Sequence, residues 1–194
     1  PQNAINRGAV PPAIRTSQTD LGLRYALSRN LSLVAGLFQI DKPYYNLDDN
    51  LLYRDLGSSS NRGVELSVTG AVGPGLTIVL GTVLIDSRIS GLLVDEGRIG
   101  LRPVGTIKRR SIANVDWRLG GGRSPVSFDL AFESLSARVG NPANTLYAPS
   151  RETLDLGTRY RFAIGKTRAL LRLQLANVFD DYGWQVSSNG AFLY

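Results

Sequence analysis

The side chains available for chemistry in this chain are mainly carboxylates, arginines and tyrosines, because its 194 residues include no His and no Cys. Without these two residue types, Ser-His-Asp and Cys-His catalysis are excluded, and a zinc or iron site built from protein ligands is not expected. Asp129 and Glu133 are a pair of carboxylates four positions apart. On a β-strand this spacing separates them by about 13 Å, beyond the carboxyl separations of about 5–9.5 Å used in glycoside hydrolysis. We therefore predict that the chain is not an enzyme.

The chain is moderately basic, with 22 Lys and Arg residues against 16 Asp and Glu, a formal net charge of +6. The basic residues are scattered among acidic ones, so nucleic-acid binding is not predicted. Glycine contributes 21 residues, well above the usual ~7%, which is typical of a protein with many turns. The Gly-rich stretch at 120–122 precedes no predicted helix, so it indicates a turn and not a phosphate-binding loop.

Apolar and polar residues alternate along most of the chain, which is the pattern of half-buried β-strands. In residues 64–69, for example, Val and Leu alternate with Glu65, Ser67 and Thr69. The pattern predicts an all-β chain with no helix and eight strands, at 21–27, 31–40, 64–69, 76–85, 113–119, 126–133, 154–162 and 169–179.

The connections between these strands alternate between short and long. The short ones are 28–30, 70–75, 120–125 and 163–167, and the long ones are 41–59, 86–107 and 134–150. Short connections such as Gly73-Pro74-Gly75 suit hairpins, whereas prolines in the long ones, including Pro43, suit irregular loops. Long connections at one end of the strands are typical of bacterial outer-membrane barrels. The apolar run 76–85 also matches the ~9–11 residues of a membrane-spanning strand.

Charged residues fall on the strand face opposite the apolar residues, as Arg24, Glu65 and Arg159 illustrate. In a barrel this face lines the interior, where opposite charges pair across strands. Aromatic residues near the short connections would form one interfacial girdle, namely Tyr25, Trp117, Phe128, Tyr160 and Phe162. Together these features predict an antiparallel up-and-down transmembrane β-barrel segment of about eight strands.

Several motifs occur in the order found in one family of outer-membrane proteins. They are Leu37-Phe38-Gln39-Ile40 with Lys42-Pro43-Tyr44-Tyr45-Asn46, Asn61-Arg62-Gly63-Val64-Glu65-Leu66 with Gly70, the stretch 153–160, and Leu175-Ala176-Asn177-Val178-Phe179-Asp180. Through this ordered set, which covers nearly the whole chain, the sequence resembles the TonB-dependent siderophore receptors.

The resemblance implies that these strands belong to a larger barrel of about 22 strands whose lumen holds a plug. It implies that residues 1–194 are one partial receptor barrel, without the plug, the segment that contacts TonB or the final strand. Residues 187–190 do not suit a spanning strand, so Tyr194 is not expected to be the terminal aromatic residue of the barrel. Eight strands without their neighbours should form an open sheet, because the interior side chains suit a large barrel.

The function that the resemblance implies is TonB-energised uptake of ferric siderophores across the outer membrane of a Gram-negative bacterium. Iron would arrive already chelated, so no cofactor is expected. The expected partners are the ferric siderophore, TonB through regions outside this chain, and outer-membrane lipid and lipopolysaccharide. Aromatic side chains would pack on the siderophore and arginines would offset its negative charge. The candidate ligand-binding residues are Tyr44, Tyr45, Arg102, Tyr147 and Trp184.

Two other functions stay open at this point. A passive diffusion porin would share the alternating strands and the girdles, but its transport would not need energy. A soluble extracellular β-sandwich that binds glycans would instead gather Leu66, Val115 and Leu173 into a compact core.

Overall fold

The protein is described by a computed structural model that covers residues 3–10 and 13–184. Its main feature is one antiparallel sheet of eight strands. These are β1 (Ser17–Ser28), β2 (Leu31–Leu47), β3 (Tyr53–Gly73), β4 (Leu76–Gly91), β5 (Arg109–Arg118), β6 (Val126–Leu135), β9 (Arg151–Ile164) and β10 (Thr167–Leu175). The two short strands β7 (Arg138–Val139) and β8 (Tyr147–Ala148) pair with each other between β6 and β9.

The strand order of the sheet is β1-β2-β3-β4-β5-β6-β9-β10. Neighbouring strands therefore follow one another along the chain, apart from the short β7 and β8 between β6 and β9. Strands β1 and β10 are the two edges and do not pair with each other, which confirms the predicted open, up-and-down sheet. The only helices in the described residues are α1 (Leu92–Asp95) and a 3-10 turn at Gly120–Gly122. Neither is long and apolar enough to cross a membrane.

The apolar face of the sheet is exposed and covers no core. Leu66 exposes 45% and Leu173 64% of its surface, and Val115 is only half-buried. This exposure contradicts the β-sandwich alternative, in which the three side chains would lie in a compact centre. The buried hydrophobic residues lie instead at the end with the long connections, and they are Ala4, Leu56, Ile89, Leu93, Val139 and Ala148.

One of the predicted long loops, 41–59, is largely strand, and the first residues of a second, 86–107, also belong to a strand. Strands β2 and β3 stay paired up to Leu47 and Tyr53, so residues 48–52 alone connect them, and the predicted loop 41–59 is wrong. Pro43 lies inside β2 where the register shifts, at a bulge that tolerates a residue without an N–H. Strand β4 likewise continues to Gly91, which faces Gly57 at the end of the β3–β4 ladder. The alternation of apolar residues does not report these extensions because both faces of the strands there carry polar side chains.

The predicted last strand, 169–179, is too long. Strand β10 ends at Leu175, and the chain then turns at Asn177 and Asp180, which both have positive φ angles (50° and 51°). The side chain of Asn177 accepts a hydrogen bond from the backbone N–H of Asp181 (3.2 Å) and donates one to its carbonyl (3.1 Å). Residues 187–190 and Tyr194 lie outside the described residues.

Candidate functional site

The long connections form a layer over one end of the sheet. We define L1 as the tip of the β2–β3 hairpin (48–52), L2 as residues 92–108 and L3 as residues 136–150. The N-terminal segment (3–10) contacts L1 through a hydrogen bond from the backbone of Ile5 to that of Leu51 (2.9 Å). An ion pair joins Arg98 of L2 to Asp49 of L1. These contacts make the layer continuous from the N-terminal segment to L2.

Asp48 organises the tip of L1. Its side chain is 6% exposed and its carboxylate accepts hydrogen bonds from the backbone N–H groups of Asn50 and Leu52 (both 2.9 Å) and from Nε of Arg54 (2.6 Å). The hydrogen bond from Leu52, helped by those from Arg54 and Asn50, lowers the pKa of Asp48 below its ordinary value, although burial acts in the opposite direction. The carboxylate therefore holds the turn while it is ionised.

A cavity of about 500 Å³ lies between the N-terminal segment and the upper part of the β2–β3 hairpin. The rings of Tyr45 and Tyr53 line it, with their centroids 5.7 Å apart. Asn6 holds the N-terminal segment in place, because its amide donates to the carbonyl and accepts from the N–H of Tyr53 (both 2.9 Å). Arg7, Arg54 and Asp55 also line the cavity, and Arg54 is paired with Asp48, so the cavity combines aromatic surface with charged groups of both signs.

L2 and L3 are joined by a side-chain clamp around Arg102. The Asn144 side chain accepts a hydrogen bond from the N–H of Arg102 (2.8 Å) and donates one to its carbonyl (2.9 Å). The side chain of Asn144 therefore fixes the backbone of Arg102, whereas Nε and Nη2 of the Arg102 guanidinium are buried without a hydrogen-bond partner among the described residues. Buried guanidinium nitrogens without a partner are costly.

Backbone hydrogen bonds extend the connection between L2 and L3. The N–H of Gly100 donates to the carbonyl of Pro142 (2.8 Å), that of Gly105 to Val139 (2.8 Å) and that of Val139 to Thr106 (3.1 Å). Val139 is completely buried. Tyr147 pairs with Val139 in the β7–β8 ladder, yet 46% of its surface is exposed. L2 and L3 therefore form one ordered unit that presents the Tyr147 ring to solvent.

A second cavity, of about 400 Å³, lies between L3 and the segment after β10. Trp184, Arg138 and Arg151 line it together with Glu133. Nη1 of Arg138 donates a hydrogen bond to the carbonyl of Trp184 (3.2 Å), while 58% of the Trp184 surface stays exposed. This cavity also offers an aromatic ring beside arginines.

The structure brings the predicted ligand-binding residues to the same end of the sheet but divides them. Tyr45 lines the first cavity and Trp184 the second, and the two cavities share no residue. Tyr44 is half-buried in β2 and accepts a hydrogen bond from Asn46 (3.0 Å), and Arg102 and Tyr147 line neither cavity. The two tyrosines belong to a strand and not to the predicted loop. That these five residues bind a ligand stays a prediction.

Sequence reasoning did not identify Asn6 and Asn144, which position Tyr53 and Arg102. Their partners lie 47 and 42 residues away along the chain. No local pattern marks an asparagine whose amide bonds a distant backbone, so only the folded chain reveals them.

The opposite face of the sheet carries the predicted cross-strand ion pairs. Arg159 on β9 pairs with Asp116 on β5, and its Nε lies 3.2 Å from Oδ1 of Asp129 on β6, an ion pair without hydrogen-bond geometry. Arg172 on β10 also reaches Asp129 (3.4 Å). These charges link four adjacent strands on the face that would line a barrel interior.

Among the residues that the structure describes, no group of three or more His, Cys, Asp or Glu side chains could hold a metal ion.

Known proteins resemble this chain in sequence and in structure. The ferrichrome receptor FcuA of Yersinia enterocolitica is 28% identical over 98% of this chain, which spans 25% of that protein. The crystal structure of BauA, the ferric preacinetobactin receptor of Acinetobacter baumannii, has a TM-score of 0.82 and 24% identity over 100% of this chain and 29% of its own. The ferric-catecholate import receptor Fiu of Escherichia coli K12 has a TM-score of 0.72 and 19% identity, over 98% of this chain and 27% of its own.

The chain therefore spans about a quarter of the length of the relatives that it matches. The sequence profile described as "TonB dependent receptor-like, beta-barrel" matches residues 3–179, which include all eight strands of the sheet. An open, up-and-down sheet with one apolar and one charged face is what a segment of such a barrel requires. The chain belongs to the β-barrel family of TonB-dependent receptors.

Proposed function

We propose that this chain forms part of the wall and the ligand-facing loops of an outer-membrane receptor that takes up ferric siderophores with energy delivered by TonB. The observation that carries the proposal is the family match over residues 3–179, on a sheet whose exposed face is apolar and whose opposite face is charged. The family consists of receptors, so the proposed role is transport and not catalysis.

The proposed location is the outer membrane of a Gram-negative bacterium. The apolar face of the sheet contacts lipid, because its exposed leucines and valines would be unfavourable in water. The charged face lines the lumen, and the layer formed by L1, L2 and L3 faces the outside, as the long connections of outer-membrane barrels do. TonB acts through parts of the receptor outside this chain, and lipopolysaccharide contacts the outer wall.

The proposed ligand is a ferric siderophore that brings its own chelated iron. The relatives are named for ferrichrome, preacinetobactin and catecholates, so their names point to a class of ligand and not to one compound. Tyr45 and Trp184, each in a cavity beside arginines, are proposed to pack on the organic part of the siderophore. Arg102 is proposed to offset the negative charge of the siderophore from L2, where two of its guanidinium nitrogens have no hydrogen-bond partner among the described residues.

An uptake assay tests the function. The full-length receptor is expressed in a strain that lacks its own siderophore receptors, and accumulation of ⁵⁵Fe is measured with a panel of hydroxamate, catecholate and carboxylate siderophores. We expect saturable uptake of at least one of them that stops when TonB is deleted or the proton-motive force is collapsed. Uptake that persists after the proton-motive force is collapsed would support the porin alternative and contradict the proposal.

A pair of matched variants tests the ligand-facing end. Arg102→Gln should raise the siderophore concentration needed for half-maximal uptake, because it removes a charge from the loop layer. Arg123→Gln removes the same charge from an exposed position in the short β5–β6 connection, at the opposite end of the sheet, and should leave uptake unchanged. Equal effects of the two substitutions would contradict the assignment of the loop layer as the ligand-binding end.

A further inference from the structure

The half of the β9–β10 hairpin nearest its short connection carries an unbalanced positive charge. Residues 157–175 include four arginines and one lysine but no carboxylate. The formal net charge of the whole chain is +6, so this hairpin alone accounts for a charge nearly as large. Its short connection lies at the end of the sheet opposite the loop layer, which is the periplasmic end in the proposed orientation.

The four arginines of this hairpin lie on the charged face of the sheet in successive rows. From the loop side to the connection, the rows are Arg159 with Arg172, Arg161 with Leu170, and Arg168 with Ala163. Residues two apart on a strand share a face and are separated by about 7 Å, so each of three consecutive rows presents a cation. We call Arg159, Arg161, Arg168 and Arg172 the arginine ladder.

The row nearest the loop side already has its carboxylates. Arg159 is 22% exposed and pairs with Asp116 and Asp129, and Arg172 lies 3.4 Å from Asp129 with 54% of its side chain exposed. These two carboxylates belong to neighbouring strands of the same face. The first row is therefore largely neutralised within the chain.

The two rows below it are not neutralised. Arg161 donates a hydrogen bond to the hydroxyl of Ser127 (3.1 Å), and neither Arg161 nor Arg168 pairs with a carboxylate among the described residues. Both line one cavity of about 410 Å³ together with Leu170, so the two guanidinium groups border the same space. An anion from outside the chain would meet two unneutralised cations there.

The spacing of the arginine ladder favours an anion that moves over one that stays. A fixed acidic segment would be matched by a compact cluster of cations at one level. A path for anions instead needs several sites in sequence, each attractive enough to enter and weak enough to leave, and Arg or Lys side chains supply such sites. Single exposed cations about 7 Å apart meet this requirement.

We propose that the arginine ladder lines the exit path of the receptor and favours multiply anionic ferric siderophores over uncharged ones during their passage to the periplasm. The inference rests on the proposed function and deepens it, because it names the charge class of the cargo and residues that act after binding at the loop layer. Arginine suits the role because its guanidinium stays protonated at any physiological pH. Charges of one sign along a cleft also concentrate an oppositely charged solute in it.

The test measures ⁵⁵Fe uptake by the full-length receptor in a strain that lacks its own siderophore receptors. The panel contains multiply anionic ferric tris-catecholate and ferric citrate complexes and an uncharged ferric tris-hydroxamate complex. The test variant is Arg161→Gln/Arg168→Gln, and Arg161→Lys/Arg168→Lys keeps the charge. The matched control is Arg24→Gln/Arg29→Gln, which removes two exposed arginines from the same end of the sheet at β1 and its short connection.

We expect the wild type to take up at least one of the anionic complexes. The test variant should lower the maximal rate of that uptake by about 10-fold, whereas the lysine variant and the control should keep it within about two-fold of the wild type. Binding of the complex to cells without TonB should be equal for all four receptors, because the arginine ladder lies far from the loop layer.

Four results would overturn the inference. They are a wild type that takes up only the uncharged complex, equal maximal rates for the test variant and the control, weaker binding to the test variant in cells without TonB, and energy-independent entry of vancomycin through the test variant. The third would place the arginines in capture of the siderophore. The fourth would mean that they hold an acidic segment that closes the lumen.

The same assay separates this inference from the proposed function. Uptake that needs TonB but does not distinguish the test variant from the control would overturn the inference alone. A wild type that takes up no siderophore would refute the proposed function, and the inference with it.

Discussion

Arg159 offers a direct test of how the charged face stabilises the sheet. Asp116 and Asp129 lie directly opposite each other on β5 and β6, which would be unfavourable if nothing separated their charges. Arg159 reaches both carboxylates from β9, and the side chains of Arg159 and Asp129 are only 22% and 24% exposed. Replacing the arginine by glutamine leaves the two like charges facing each other across a strand pair, with only the more exposed Arg172, 3.4 Å from Asp129, to offset them.

The size of the effect follows from this geometry. Directly opposed side chains are about 5 Å apart, and at that distance two unit charges repel by about 0.8 kcal/mol in bulk water and about 3 kcal/mol at an effective dielectric constant of 20. Asp116 is 49% exposed, so solvent screens part of the repulsion. We therefore expect Arg159→Gln to lower the free energy of unfolding by about 1 to 3 kcal/mol.

The assay is urea unfolding of the full-length receptor in detergent, followed by the migration of unheated samples on SDS gels. Arg161→Gln is the matched control, because Arg161 lies two positions away on the same face and contacts the hydroxyl of Ser127 (3.1 Å) and no carboxylate. Adding Asp116→Asn to Arg159→Gln should restore part of the lost stability, since it removes one of the two like charges. Raising the salt concentration to about 1 M should shrink the difference from the wild type.

Two results would refute this reasoning. The first is an Arg159→Gln variant no less stable than the Arg161→Gln control. The second is a double variant with Asp116→Asn that is less stable than Arg159→Gln alone. Either result would mean that repulsion between the two carboxylates does not set the stability of this part of the wall.

Three further predictions concern single positions. Gly157→Ala places a methyl group against the Asp129 carboxylate on the facing strand. It should lower the free energy of unfolding by about 1–3 kcal/mol in the same assay. An unchanged free energy would mean that the carboxylate moves aside freely and would contradict this prediction. Because the pKa of Asp48 is lowered, L1 should stay ordered at pH values above the ordinary carboxylate pKa and loosen as the pH falls below about 4. A spin label at Asn50→Cys should report this loosening. Asp48→Asn should remove its dependence on pH. Asn144→Ala should mobilise L2 and L3 together, so hydrogen exchange that rises in only one loop would contradict their coupling.

The eight strands of the main sheet, their order and their faces could be predicted from the sequence because apolar and polar residues alternate along most of each strand, whereas the two short strands β7 and β8 were not predicted. Residues such as Leu37, Val64 and Leu84 lie on the apolar face, while sequence neighbours such as Glu65 lie on the opposite face. The resulting period of two was visible without coordinates, and the structure confirms the open, antiparallel sheet that it predicted.

The ends of the strands were predicted less well. Above the apolar band both faces of β2 and β3 carry polar residues, so backbone pairing continues through Pro43 and Ser58–Ser60 with no periodic signal. For the same reason Tyr44 and Tyr45 were assigned to a loop, although they lie in a paired strand.

The sequence by itself determined the main sheet, because apolar and polar side chains alternate along its strands with the period of two that an extended backbone imposes. Only the tertiary structure decided how the layer above the wall is built. There Asn6 and Asn144 bond the backbones of Tyr53 and Arg102 across 47 and 42 residues of chain. Contacts of this kind depend on where the ends of distant strands meet in space, and local alternation carries no information about that meeting.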